Sequence, residues 1–134
     1  MSAYTKDINA FVLDINETIK NVPKYLTNKL DKHSKMMVNE VKRRTPVDTG
    51  NLKNSWRRSE VERHHNTYSV TISNNARNPK YGTQYASFVE FGHYSTGGNW
   101  VNGRFMLMKS QLNAQVKLEQ DLRKDQVILY SKLL

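Results

Sequence analysis

The residue types that could bind a metal ion are a glutamate and three of the histidines. Glu90 and His93 stand three positions apart, so on a helix their side chains would share one face. However, Gly92 should end that helix between them, and no second Glu/His pair accompanies them. His64 and His65 are adjacent in a segment that reads as a turn, where solvated side chains are the usual outcome. The patterns therefore favour neutralisation of a helix end for Glu90 and His93, and no metal site.

The other kinds of catalytic motif are also missing from the sequence. The chain contains no cysteine, and none of its serines lies in a Gly-x-Ser-x-Gly elbow. Gly97 and Gly98 do not follow a strand and precede a helix with the spacing of a phosphate-binding loop. We therefore expect no catalytic residue, metal, cofactor or small-molecule substrate, and we expect that the protein is not an enzyme. The alternative to that expectation is a metal-dependent enzyme that uses His64, His65 and His93.

Length and charge limit the architecture and the partners. The 134 residues predict one domain over 1–134, with no segment apolar enough to span a membrane and no signal peptide at the start. The net charge is +9, which suits nucleic acid, acidic proteins or anionic surfaces. The local basic clusters give the candidate DNA-facing residues, which are Lys42, Arg43, Arg44, Arg57 and Arg58. They give an alternative function, that of a basic nucleic-acid-binding protein. Without a recognition helix or a stacking strand, such a protein would make salt-sensitive contact with the DNA backbone and would not read sequence.

Hydrophobic spacing predicts an α+β fold that begins with two helices over 3–44. Residues 3–20 carry apolar side chains three and four positions apart, and Pro23 suits the first turn of a second helix that runs to Arg44. Pro46 should end that helix, and Asp48 or Thr49 could cap a new short one. Gly50 eases the turn, and Leu52 and Trp56 would lie on one apolar side of the new helix.

The middle of the chain, residues 56–103, predicts a small antiparallel sheet with one short helix. Residues 56–63 and 67–73 read as a hairpin, and the second run alternates apolar and polar side chains. The segment 81–91 favours a helix ended by Gly92, with a strand as the alternative. The glycine-rich segment 93–103 reads as a partner-binding loop that could add a strand near Trp100. A long C-terminal helix over 104–132 should pack across the sheet.

Three segments, taken together, resemble one family. They are the corner T-P-V-D-T-G-x-L-x-x-S from Thr45, the segment Y-A-x-x-V-E-F-G from Tyr85 with His93 after it, and Gly103–Leu107. In this order they resemble the small tail-component proteins of long-tailed double-stranded DNA phages and prophages, often called tail-completion or neck proteins. The resemblance covers about residues 30–115 and is specific in combination, whereas each segment alone is a weak signal.

The resemblance implies a structural protein of phage morphogenesis at the head–tail junction or tail end. It implies a ring, six-fold to match a tail tube, next to connector, tail-terminator or tail-tube proteins, with DNA possible in the lumen. Synthesis would take place in the bacterial host cytoplasm and the final location would be the neck or tail of the virion. Structural roles in caps and turns fall to Pro46, Asp48, Thr49, Gly50, Leu52, Trp56, Glu90 and Gly92. The candidate contacts with partners are Tyr94, Trp100, Val101, Phe105, Tyr130 and Leu133.

Overall fold

A computed structural model describes the backbone of residues 2–3, 10–16, 23–48, 50–65 and 67–133, and the side chains of 24–48, 50–65 and 67–127. The strands within these residues are β1 (Ser2–Ala3), β2 (Ala10–Asn16), β3 (Trp56–Arg58), β4 (Glu62–His64), β5 (Thr67–Asn74), β6 (Gly92–Tyr94) and β7 (Trp100–Asn102). The helices are α1 (Pro23–Arg44), α2 (Asn51–Asn54), α3 (Ala86–Phe91) and α4 (Met106–Leu133). The α+β class, the small antiparallel sheets and the long C-terminal helix are confirmed.

The larger sheet is built around β5. Strand β2 pairs antiparallel with one edge of β5, while β3 and β4 pair antiparallel with the other edge, and β1 extends the sheet beyond β2. The predicted hairpin is thus present, with its first strand interrupted between β3 and β4. Side chains along β5 alternate as predicted, because Tyr68, Val70 and Ile72 are buried and the residues between them are not.

The first predicted helix, over 3–20, is wrong where the structure describes it. Residues 10–16 form β2, whose register pairs Phe11, Leu13 and Ile15 with the buried positions of β5. Apolar residues at 11, 12, 13 and 15 fit both a helical and an alternating period, and pairing with a distant strand decided between them. The rest of that prediction, residues 4–9 and 17–20, lies outside the described residues.

Helix α1 has the bounds that the sequence predicts, and the corner after it is held by a buried tryptophan. The indole Nε1 of Trp56 donates to Thr45 Oγ1 at 2.8 Å, and Thr45 in turn donates to the carbonyl of Val41. Asn74, at the end of β5, donates from Nδ2 to the carbonyl of Leu52 at 2.8 Å. The corner therefore ties α1, α2 and the sheet together through buried hydrogen bonds.

The capping of α2 differs from the prediction. The residue before the helix is Gly50, which has a left-handed φ of 82° and provides no side-chain cap, so Asp48 is not the cap. Thr49 lies outside the described residues. Trp56 begins β3 and is not on α2, so its burial against α1 comes from the strand and not from a shared helical face.

Helix α4 runs antiparallel to α1, because Tyr25 and Lys29 near the start of α1 meet Asp125 and Asp121 far along α4. The sequence predicted α4 packed across the sheet. In the structure α4 packs on α1, which itself contacts β2, β3 and β5. Buried side chains of both helices and the sheet form one core; they include Leu30, Met37, Val41, Trp56, Ile72, Met106, Leu107 and Leu118.

Candidate assembly surface

Glu90 fixes the junction between α3 and α4. Its side chain is fully buried at 0% exposure, and its two carboxylate oxygens accept hydrogen bonds from the backbone N–H groups of Leu107 and Met108, each at 2.9 Å. These N–H groups belong to the first turn of α4, where no intrahelical partner exists for them. The carbonyl of Glu90 also accepts from Phe105 N at 3.1 Å. One residue of α3 therefore caps a helix that begins sixteen positions later in the chain.

Two glycines allow two segments of the backbone to approach each other closely next to that carboxylate. A Cβ atom on Gly103 would stand 2.4 Å from the carbonyl oxygen of Glu90, and one on Gly92 would stand 2.7 Å from the carbonyl oxygen of Val101. Both neighbours are backbone atoms, which cannot rotate away as a side chain can. Gly92 also has a φ of 94°, a left-handed value that favours glycine. The base of the β6–β7 hairpin is thus closely packed, and there is no space for a side chain at Gly92 or Gly103.

The hairpin carries aromatic side chains on both of its faces. Tyr94 and Trp100 are paired across the strands, with ring centroids 5.1 Å apart in an edge-to-face arrangement, and they are 73% and 53% exposed. The opposite face carries His93 and Val101, and the exposed ring of Phe88 meets the His93 ring at 6.1 Å. Large exposed apolar groups gathered on one element are typical of an interaction surface.

The segment from Tyr81 to Gly103 exposes no formal charge, counting histidine as neutral. Its one acidic residue is Glu90, which is buried, and it contains no lysine or arginine. In a chain with a net charge of +9, this is a long neutral surface. Of the partner contacts predicted here, Tyr94, Trp100 and Val101 are exposed, and Phe105 is half-buried with a φ of 48°.

A second apolar surface lies on α4. The apolar spacing of this helix predicts a packed stripe of Phe105, Met108, Leu112, Val116, Leu118 and Leu122. Leu118 is buried as this pattern requires, whereas Leu112 and Val116 are more than half exposed. The positions that are buried between them and beside them are Ser110, Gln111 and Ala114. The packed face of α4 therefore combines these small and polar side chains with Met106, Leu107 and Leu118, while Leu112 and Val116 lie on the outer face. The predicted contacts Tyr130 and Leu133 belong to α4, for which the structure describes the backbone at these two positions and not the side chains.

The far part of α4 is held to α1 by a cluster of charges. Lys29 Nζ stands 2.9 Å from Asp121 and 2.8 Å from Asp125, and His33 Nε2 stands 2.8 Å from Asp121. Tyr25 donates its hydroxyl to Asp125. His33 is thus a buried packing residue that binds a carboxylate, as expected for a lone histidine in an apolar stripe.

The cluster shifts the titration of four of its members. Hydrogen bonds with His33 and Lys29 hold the pKa of Asp121 well below its usual range. The pKa of Asp125 is lowered by hydrogen bonds from Lys29 and Tyr25. The bond to Asp125 raises the pKa of Lys29 to about 12, and burial, followed by the bond to Asp125, raises the pKa of Tyr25 to about 12.

The five basic residues predicted to face DNA are not equally free. Arg44 pairs with Glu40 at 3.0 Å, and Arg58 pairs with Asp31 at 2.8 Å. Lys42, Arg43 and Arg57 make no ion pair with an acidic side chain among the described residues, and the two arginines are exposed. Three of the five are therefore without an acidic partner among the described residues, and Arg57 donates from Nη1 to the carbonyls of Asn54 and Trp56.

The histidines of the alternative enzyme reading do not come together. His64 and His65 stack edge-to-face at the β4–β5 turn, whereas His93 Nδ1 lies 3.2 Å from the carbonyl of Phe88. In the part of the chain that the structure describes, no three His, Asp or Glu side chains are grouped closely enough to hold a metal ion. Over the same residues, no helix has the length and hydropathy needed to cross a bilayer.

Comparison with models of protein families identifies the family of this chain. The family model described as "Bacteriophage HK97-gp10, putative tail-component" matches residues 10–92, which is more than half of the chain. The chain belongs to the HK97-gp10-like family. The matched range includes the corner and Glu90, and it ends where the hairpin begins. The resemblance inferred from the motifs is therefore confirmed, and with it a role as a structural tail component of the virion that contacts other phage structural proteins. No curated protein and no solved structure matches the chain.

The sequence missed the second apolar surface and the true partner of Glu90. The spacing of Glu90 and His93 drew attention to the right glutamate, but its hydrogen-bond partners lie in α4. One signal was available: the uncharged run from Tyr81 to Gly103 is broken by a single glutamate, and an isolated charge in such a run needs a partner.

Proposed function

We propose that this HK97-gp10-like protein acts at the head–tail junction or at the tail end of the phage particle, where it completes or joins the tail as a ring of identical subunits. Six-fold symmetry would match a tail tube. The role is non-catalytic and needs no cofactor. Its partners are further copies of itself and the adjacent connector, tail-terminator or tail-tube proteins.

The observation that carries this proposal is the exposed neutral hairpin next to the family-matched part of the chain. Tyr94, Trp100 and Val101 are exposed on an element whose base is fixed by the buried Glu90. A rigid element that presents aromatic side chains loses little conformational freedom when it binds, which favours a stable protein–protein contact. A subunit that assembles with other structural proteins needs such a surface.

Immunogold electron microscopy of purified particles tests the location. Antibody against this chain, with gold-conjugated secondary antibody, should label one site per particle at the head–tail junction or at the tail end. Particles from a phage that lacks the gene provide the control for antibody specificity. Absence of label on intact particles, with the protein detected in the infected host, would contradict a place in the finished neck or tail.

A second candidate function is contact with the DNA backbone, and one observation favours it. Lys42, Arg43 and Arg57 lack an acidic partner among the described residues and belong to the end of α1 and the start of β3, which the corner joins. Such a cluster would bind duplex DNA without sequence preference and with a steep dependence on salt. Replacing the three with glutamine should then abolish binding, while Lys24→Gln, Lys80→Gln and Lys124→Gln together should not. No binding by the unaltered protein at near-physiological salt would rule this function out.

A further inference from the structure

We propose that the β6–β7 hairpin of one copy docks on the outer face of α4 of the next copy, over Leu112 and Val116. This inference rests on the proposed ring and names the two surfaces that would form it. The face of α4 around these two residues is called the α4 stripe below.

The hairpin has the properties of an inserted element. Tyr94 and Trp100 present two contacting rings on one face, and large aromatic side chains contribute most to binding when they are buried in an interface. The base is held by the hydrogen bonds of Glu90 and by the close contacts at Gly92 and Gly103. Because the hairpin is already ordered, docking would cost little conformational entropy.

The α4 stripe has the properties of a receiving surface. Leu112 and Val116 are four residues apart, so their side chains are neighbours on one face of the helix. Lys109 is exposed and lies three positions before Leu112, so its side chain is beside the stripe. An ammonium group beside an apolar stripe complements the electron-rich faces of tyrosine and tryptophan rings.

Charge argues that the partner on the stripe is a second copy of this chain. Two molecules with a net charge of +9 repel each other unless the surfaces that meet are neutral or opposite in sign. The region from Tyr81 to Gly103 exposes no formal charge, so it can approach the lysine-flanked stripe without repulsion between like charges. A contact between two different surfaces of the same chain is heterologous, which is the kind that closes into a ring.

Mixing two interface variants tests the docking directly. Tyr94→Lys places a charge on the hairpin, and Val116→Lys places one on the α4 stripe; Tyr94 is suited to this because its side chain is largely exposed. Val127→Lys is the matched control, since Val127 is an exposed apolar residue of the same helix that lies about 16 Å beyond Val116 along the helix axis. Size-exclusion chromatography with light scattering gives the mass of each sample, and circular dichroism checks that each variant is folded.

The expected result is an assembled unaltered protein, an assembled Val127→Lys control, and monomers for each interface variant alone. An equimolar mixture of Tyr94→Lys and Val116→Lys should give a dimer with one copy of each and nothing larger. In that dimer the intact hairpin of the Val116→Lys chain meets the intact stripe of the Tyr94→Lys chain, and the remaining two surfaces are both blocked.

Three results would overturn the docking. Assembly of Val116→Lys like the unaltered protein would exclude the stripe, and folded variants that stay monomeric when mixed would exclude the pairing of these two surfaces. An unaltered protein that is monomeric at every concentration would remove the ring from the proposed function as well. Conversely, an intact mixed dimer with no gold label on particles would keep the docking and reject the location.

Discussion

The two parts of α4 are held to the rest of the molecule by opposite chemistry. Its first turn is capped by one buried carboxylate, that of Glu90, which is the one acidic residue of a segment, Tyr81 to Gly103, that contains no lysine or arginine. Its later turns are tied to α1 by ion pairs of Lys29 with Asp121 and Asp125 near the surface, and by the contact of the buried His33 ring with Asp121. The same helix thus has one end held by a buried carboxylate, called the Glu90 end, and one end held by ion pairs, called the charged end.

The two ends differ in how strongly they stabilise the fold and in whether the surface beside them is free to bind another protein. Ion pairs at a partly exposed site contribute modestly and are screened by salt, whereas a buried carboxylate with backbone partners is costly to remove because its partners would lose their hydrogen bonds. At the charged end, acidic and basic groups satisfy one another within the chain. At the Glu90 end, the one carboxylate of the segment from Tyr81 to Gly103 is directed inward, which leaves the aromatic side chains of the hairpin free to contact another protein.

Removal of the Glu90 carboxylate should have the largest effect. Glu90→Ala leaves the N–H groups of Leu107 and Met108 unpaired and opens a buried cavity, so the free energy of unfolding should fall by about 3–4 kcal/mol. Urea denaturation followed by far-ultraviolet circular dichroism measures it. Glu90→Gln keeps the size and one acceptor oxygen and should lose about half as much. Equal stability of Glu90→Ala and the unaltered protein would mean that the cap does not hold α4.

The crossing at Gly103 should be the next most sensitive point. Gly103→Ala places a Cβ against the backbone of Glu90 and Phe91, and the required displacement should cost about 2–3 kcal/mol in the free energy of unfolding. Gly97→Ala is the matched control, because a Cβ there meets only the Ser95 hydroxyl at 3.9 Å. The same denaturation experiment compares the two, and similar losses for both would contradict the tight base of the hairpin.

The contribution of the charged end to stability should be lost as the pH falls. Because the pKa of Asp121 is lowered in the folded state, the unfolded chain takes up a proton first as the pH drops below about 4, and the free energy of unfolding should decrease there. Asp121→Asn should remove about 1–2 kcal/mol at neutral pH and flatten this decrease. Glu62→Gln, at an exposed position of β4, serves as the control. Salt at about 1 M should weaken the Asp121 effect and spare that of Glu90→Ala, and the reverse pattern would contradict the comparison.

The smallest expected effect is a loss of stability at alkaline pH. The pKa of Tyr25 is raised to about 12, so the folded state keeps its proton while the unfolded chain loses it above about 10, and stability should fall between these two values. Tyr25→Phe removes one hydrogen bond at a cost of about 1 kcal/mol at neutral pH and should make the alkaline decrease shallower. Lys29 contributes a decrease over the same range, which Tyr25→Phe leaves in place. Thermal melts as a function of pH record both, and an unchanged alkaline slope would contradict the shift of Tyr25.

The sequence predicted those elements whose signals are local. Helix α1 has a proline at each limit, which fixes its start and its end, and β5 alternates strictly over its length. The short helix ended by Gly92 follows from the freedom of glycine at a helix terminus. In each case the deciding residues lie within or next to the element.

Elements decided by distant contacts were not predictable in the same way. Residues 10–16 became a strand because β5 offers an edge some sixty positions later, and this cannot be read from their own spacing. The outward face of α4 depends on how the helix packs in the fold, where Ser110 and Ala114 are buried and Leu112 is not. At the candidate site, the exposed aromatic residues of the hairpin were predicted as contacts, whereas the stripe that would receive them was not.

The capped start of α4 has a mechanical consequence. Two hydrogen bonds join α3 to the two residues before the long helix, Arg104 N to the Val89 carbonyl and Phe105 N to the Glu90 carbonyl, and two more join it to the first turn, from Leu107 N and Met108 N to the Glu90 carboxylate. The hairpin emerges between these two elements, so its base and the start of α4 form one hydrogen-bonded unit. With 28 residues, α4 is about 42 Å long. Because its later turns are fixed to α1 through Asp121 and Asp125, a force on Trp100 passes through this unit to both long helices.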